Sequence, residues 1–173
     1  MYEVDEKDRV VPLKDVPQSS VGAPLPVVLA DEHRVVLAYY MKSEELWRRA
    51  GDVHGIDQFT SEEPIALVLF DRRTHMFGPP NDEAFAGHPL ASRGLEPYGS
   101  FRIENSSWIR KLERMNSVHP NHCPDPYWQL QHLIFSFHDS TFECVCRSFQ
   151  VRTVRGLMAD MIPQMVQMLE VKS

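Results

Sequence analysis

Glycine is scarce in this chain, 8 residues in 173. Loops that wrap a phosphate with bare backbone need glycine at fixed offsets, and neither GxGxxG nor GxxxxGK occurs. A GxSxG elbow, an HExxH pair and an EF-hand loop are absent as well. Nucleotide-dependent enzymes and serine hydrolases lose standing, and no cofactor is expected. Cysteine is nearly as sparse, 3 residues. Cys144 and Cys146 lie two apart on one strand, where a disulfide between them would strain the backbone. Cys123 stands in a Pro-rich stretch. All three are expected to be reduced, as in a reducing compartment.

Long apolar runs are missing too. Nothing approaches the ~18 residues that a membrane-crossing helix needs. The opening MYEVDEKDRVVPLKD is charged and has no apolar signal core, so a soluble, cytoplasmic protein is expected. Positive charge is in deficit: 18 Lys and Arg against 24 Asp and Glu, a formal net charge of −6. Binding to nucleic acid or to an anionic membrane needs a basic face that displaces counterions. Neither partner is expected, which leaves a protein or a small molecule.

What the chain does have is ordinary globular material, 43% hydrophobic and 24% charged. Its length suits one domain, with residues 1–25 as an irregular leader and 26–173 as a single α+β domain. Arg9–Leu13 is the one leader stretch fit to add an edge strand. Residues 26–41 read as a hairpin, because two β-rich runs flank Asp31-Glu32-His33. Lys42–Ala50 is a short helix candidate, capped by Ser43 and ended by Gly51. Residues 65–77 read as a second hairpin turning at Asp71-Arg72-Arg73, and 99–104 as a strand. Residues 105–117 carry Trp108, Ile109, Leu112 and Met115 on one face of an amphipathic helix. A closing helix over 156–170 bears a Met-rich stripe, with Pro163 expected to kink or restart it. That stripe is suited to core packing or to pairing two copies in a homodimer. The expected fold is a largely antiparallel sheet of about five to seven strands with the two longer helices packed on one face.

Trp128–Val151 gives the clearest structural signal, a long hairpin turning near His138-Asp139-Ser140-Thr141. With Asp139 and Ser140 at the tip, Phe137 faces Phe142, Phe135 faces Cys144 and Leu133 faces Cys146. That face is apolar throughout. On the other face Ile134 and Val145 are expected to be covered, and Ser136, His138 and Glu143 to be open to solvent.

Three groups of residues are able to carry chemistry. His138 at the hairpin tip, with Glu143 and Ser136 beside it, has the makings of an acid–base site, since a carboxylate raises imidazole basicity and fixes its orientation. The plainer reading is a solvated turn. The loop 78–95 brings Asp82, Glu83, His88 and Arg93, side chains suited to a polar binding wall. His119, His122 and Cys123 in HPNHC are of zinc-ligand type, though no second ligand pair accompanies them. Arg102, Arg110, Lys111 and Arg114 form a local basic face, the usual solvated side of an amphipathic helix. The expectation is a non-enzymatic binding or protein-interaction module. A small hydrolase-like enzyme using His138 and Glu143 near the 78–95 loop, or a zinc protein, is the alternative.

Overall fold

The computed structural model describes residues 2–42 and 56–170. Most of the helix expected over Lys42–Ala50 lies outside the described residues. Seven strands form: β1 (Arg9–Pro12), β2 (Val27–Ala30), β3 (Arg34–Tyr40), β4 (Glu63–Gly78), β5 (Ser100–Glu104), β6 (Gln131–Ser136) and β7 (Thr141–Gly156). They join in one antiparallel sheet of order β1-β5-β6-β7-β4-β3-β2. Three α-helices are described: α1 (Ser107–Asn116), α2 (Asp125–Trp128) and α3 (Met158–Glu170). The α+β class is therefore the observed one.

The chain divides into two compact units, one of residues 1–13 and 72–148, the other of 14–71 and 149–173. In the second unit β2 and β3 pair as the expected hairpin, Val27 opposite Ala38 and Ala30 opposite Val35. Both faces of β3 are buried, which explains why its sequence is apolar without alternation. The Met-rich stripe packs here. Met158, Met161 and Met165 bury themselves against Val36, Ala38, Tyr40, Ile65 and Leu67. These methionines are consumed by their own unit's core, which leaves Ile162 and Val166 as the exposed apolar side chains of the helix. Nor does α3 restart at Pro163; it continues as a single helix through it.

The second expected hairpin is overturned. Residues 63–78 are one sixteen-residue strand. Asp71-Arg72-Arg73 holds no Gly or Asn for the positive φ of a tight turn, and Asp71 stays in the ladder opposite Arg34. The charges that suggested a turn are strand residues: Asp71 is exposed, and the Arg73 guanidinium lies over the Tyr127 ring at 5.6 Å from its centroid.

In the first unit β1 adds to the sheet edge beside β5, Val10 opposite Ile103. The leader is more engaged than irregular chain. Tyr2 is buried and stacks on Trp108, ring centroids 5.1 Å apart. Asp8 accepts from the backbone N–H of Ser107 at 2.6 Å, while Ser106 accepts from that of Ile109 at 3.3 Å. Two orphan donors at the start of α1 are thereby satisfied, one of them from outside the helix. The 78–95 loop closes another layer: Phe85, Leu90 and Leu95 pack on Phe101, Ile103 and Ile134.

The long hairpin forms with its register shifted by two residues. Phe135 lies opposite Phe142, Leu133 opposite Cys144 and Ser136 opposite Thr141. A four-residue connection replaces the two-residue tip, closed by a Phe137 N–H to Ser140 C=O bond of 2.8 Å. A shift of two preserves every face, so Cys144 and Cys146 are buried and free as expected. A core truncation probes the packing of the second unit. Leu67→Ala is expected to cost about 2–5 kcal/mol in urea unfolding, against less than about 0.5 kcal/mol for Met115→Ala on the exposed side of α1.

Candidate functional site

The expected open end of the hairpin is closed. Ser136 and Glu143 are buried, Glu143 with only 4% of its surface exposed. A buried carboxylate must be ionised against hydrogen-bond donors or become neutral. Here it has donors. His132 on β6 lies on the same face, its Nε2 3.0 Å from Glu143 Oε2. His88, from the 78–95 loop, brings Nε2 to 3.2 Å from Oε1. Tyr2 donates its hydroxyl to Oε2 at 2.7 Å.

The imidazole roles follow from their other nitrogens. His88 Nδ1 accepts the backbone N–H of Leu90 at 3.1 Å and so carries no proton, which makes Nε2 the donor to Glu143. His132 Nδ1 lies 2.9 Å from Ser106 Oγ. The Glu143 carboxylate at Nε2 can only accept, so Nε2 carries the proton, and in the neutral ring Nδ1 then accepts the Ser106 hydroxyl. Burial pushes the Glu143 carboxyl up, and the bonds from His132, then His88, overcome it and hold the acid down to about 2. Burial, followed by the Glu143 charge, pushes the Tyr2 phenol well above its ordinary value. The network joins the leader, the loop, α1 and the hairpin around one negative charge. Its members are buried, so the charge is held by donors from the fold itself.

Ser136 is also accounted for structurally. Its hydroxyl accepts from the Gly99 N–H at 2.9 Å and donates to the Glu96 carbonyl at 2.8 Å, which pins the approach to β5.

His138 does not meet Glu143's network; it pairs with the loop. Its Nδ1 is 3.2 Å from Asp82 Oδ2, and 41% of its side chain stays exposed. Tyr98 donates to the same Asp82 oxygen. The loop is held there by the Asp82 N–H to His138 C=O bond and by Thr141 Oγ1 to the Pro80 carbonyl, both 2.9 Å. The Tyr98 bond, more than the His138 one, holds Asp82 below the usual carboxylate range. The Asp82 bond raises His138 and pushes Tyr98 up to about 12. The carboxylate beside His138 is therefore Asp82 of the loop and not Glu143.

The remaining candidates separate. Glu83 is exposed. Arg93 ties the leader instead, donating to the Asp8 carbonyl at 3.1 Å. His122 is spent on Glu113 at 2.7 Å, and His119 Nδ1 accepts the Asn121 N–H at 3.1 Å. Cys123 is exposed and free. Among the described residues no three His, Cys, Asp or Glu side chains group to hold a metal.

The same unit holds a feature the sequence did not reveal. A groove of about 790 Å³ opens beside β5, α1 and α2, lined among others by Arg102, Ile109, Tyr127, Trp128 and Leu130. Trp128 is 79% exposed. Ser106 touches both this groove and His132. The missing signal is long-range: Trp128 was expected in the hairpin, opposite Val151, whereas it ends α2.

Two outcomes are expected. Glu143 ionises lower in the folded chain, about 2 against an ordinary 4.5, so its stabilisation is whole above pH 4.5 and fades as pH falls toward 2. Urea midpoints measured across that range should slope, and Glu143→Gln should flatten the slope while lowering stability at pH 7 by on the order of 3 kcal/mol. In an NMR titration, Asp82→Asn should lower the His138 pKa, because the raising partner is gone. No protein-family model, no curated protein and no solved structure matches the chain.

Proposed function

We propose that the protein is a non-enzymatic binding module whose ligand site is the groove beside β5, α1 and α2. The observation that carries this reading is the groove itself: about 790 Å³ of concave surface beside an exposed tryptophan. Ligand sites for small molecules are concave, largely apolar and furnished with few polar groups, within about 300–1,000 Å³. A large exposed indole is otherwise unfavourable surface, and aromatic side chains are enriched where partners bind. The Glu143, His88 and His132 cluster supports the same reading from the other side, since its side chains are buried.

A second reading has one observation in its favour. Asp82 orients the half-exposed His138, the arrangement of an imidazole set up to take a proton. A small hydrolase-like enzyme at the hairpin tip would use His138 as base and Asp82 as its orienting acid.

The two readings part in solution. The fluorescent probe 8-anilinonaphthalene-1-sulfonate is expected to bind saturably to the native protein. Trp128→Ala should weaken that binding about tenfold, as loss of a stacking aromatic side chain does. Absence of saturable binding, or binding indifferent to Trp128→Ala, overturns the groove reading. Turnover of p-nitrophenyl esters that disappears in His138→Ala would put the second reading in its place.

A further inference from the structure

One side of β7 is left open beyond its pairing with β6. That pairing covers Thr141 to Cys146, whereas β7 runs on to Gly156. Over Phe149 to Arg155, β4 is the neighbour on one side, with the Phe149 ring 6.2 Å from that of Phe70. Among the described residues no strand lies on the other side. The stretch is anchored, since Val154 packs with Met158, Met161 and Met165. Gln150, Arg152, Thr153 and Arg155 are exposed.

The terminal strands of the sheet are blunted in ways this stretch is not. β1 and β2 are four residues each; Pro12 ends the first and Pro26 precedes the second. Short edges and proline are how sheets resist the addition of further strands. Phe149 to Arg155 is longer and holds neither proline nor glycine. Its outward backbone donors and acceptors form a row without strand partners, the template to which an extended chain adds.

The charges select the occupant. The stretch carries Arg152 and Arg155 and no acid. A second copy is a poor match. Antiparallel pairing centred on the stretch sets Arg152 opposite its own counterpart, and in-register parallel pairing does the same for both arginines. Like charges directly opposed are destabilising, and opposite charges attract.

We propose that the open edge of β7 takes an extended acidic segment of another protein, added as an antiparallel strand with carboxylates opposite Arg152 and Arg155. None of these residues lines the groove, so the inference goes beyond the groove reading and does not depend on it. Main-chain hydrogen bonds supply the affinity of such an addition, and the two charge pairs supply the choice of partner.

The probe is a fluorescein-labelled heptapeptide of valine and threonine with glutamate at its first and fourth positions, which fall opposite Arg155 and Arg152. One twin carries lysine at both positions. Two more carry backbone N-methyl groups, one on its odd and one on its even residues. Fluorescence anisotropy with the full chain should show saturable binding of the parent, and binding of the lysine twin about tenfold weaker. Alternate N–H groups of an added strand face the edge, so one methylated twin should bind like the parent and the other should lose binding. Arg152→Glu should weaken the parent about fivefold and strengthen the lysine twin by a similar factor. The arms on native protein carry the test should that variant not fold. No saturable binding, no preference for glutamate over lysine, or equal effects of the two methylation patterns overturns the proposal. So does a native chain that fails to bind the parent and sediments as a dimer, which would give the edge to a second copy.

Discussion

A carboxylate cannot be placed inside a protein without donors, and the first unit is arranged around that constraint at Glu143. The acid sits on β7 among Ile134 and Val145, where a neutral side chain would need no help. Because it is charged, it draws His132 from the neighbouring strand, His88 from a loop 55 positions away and Tyr2 from 141 positions away. Each donor is fixed in turn. Ser106 holds His132, and the Leu90 backbone holds His88. The N-cap of α1, the 78–95 loop and the leader are thus coupled to one charge. A network of this kind fixes one arrangement when every member is satisfied and loses much when one is removed.

The same arrangement separates anchoring from exposure. Residues most easily imagined as acid–base groups are those the core has taken. The accessible features lie at two other places: the Asp82–His138 pair on the loop and hairpin tip, and the groove with Trp128. Ser106 is a physical link between the groove and the buried charge, since it lines one and bonds to the other. Both recruit residues from the loops and short helices that the sheet holds in place, the usual division between rigid scaffold and functional surface.

Much of the architecture was legible in the chain. Both arms of the 26–41 hairpin read as apolar on both faces, which holds for β3 but not for the partly buried edge strand β2, and the spacing of Trp108, Ile109, Leu112 and Met115 marked α1, although Met115 is exposed. Period-two alternation in the hairpin assigned Leu133, Phe135, Cys144 and Cys146 to one face, and the two-residue register shift left that assignment intact. The failures have equally local causes. Asp71-Arg72-Arg73 read as a turn because charge and turn composition overlap, yet a long strand accommodates charged side chains as well. Burial of Ser136 and Glu143 was invisible because the cover comes from the leader and the 78–95 loop, both irregular and neither periodic.

The candidate residues show where the limit falls. Sequence by itself determined which side chains share a face, because alternation along a strand is fixed by covalent geometry, and so it put Glu143 and Val145 on the face opposite Cys144 and Cys146. It also determined that no common phosphate-binding or metal-binding motif is present. Only the tertiary structure decided that Glu143 belongs to His88 and Tyr2 and that His138 sits beside Asp82. Those pairings join residues far apart along the chain. Their energies depend on distance and desolvation at the contact, and neither quantity is written into local spacing.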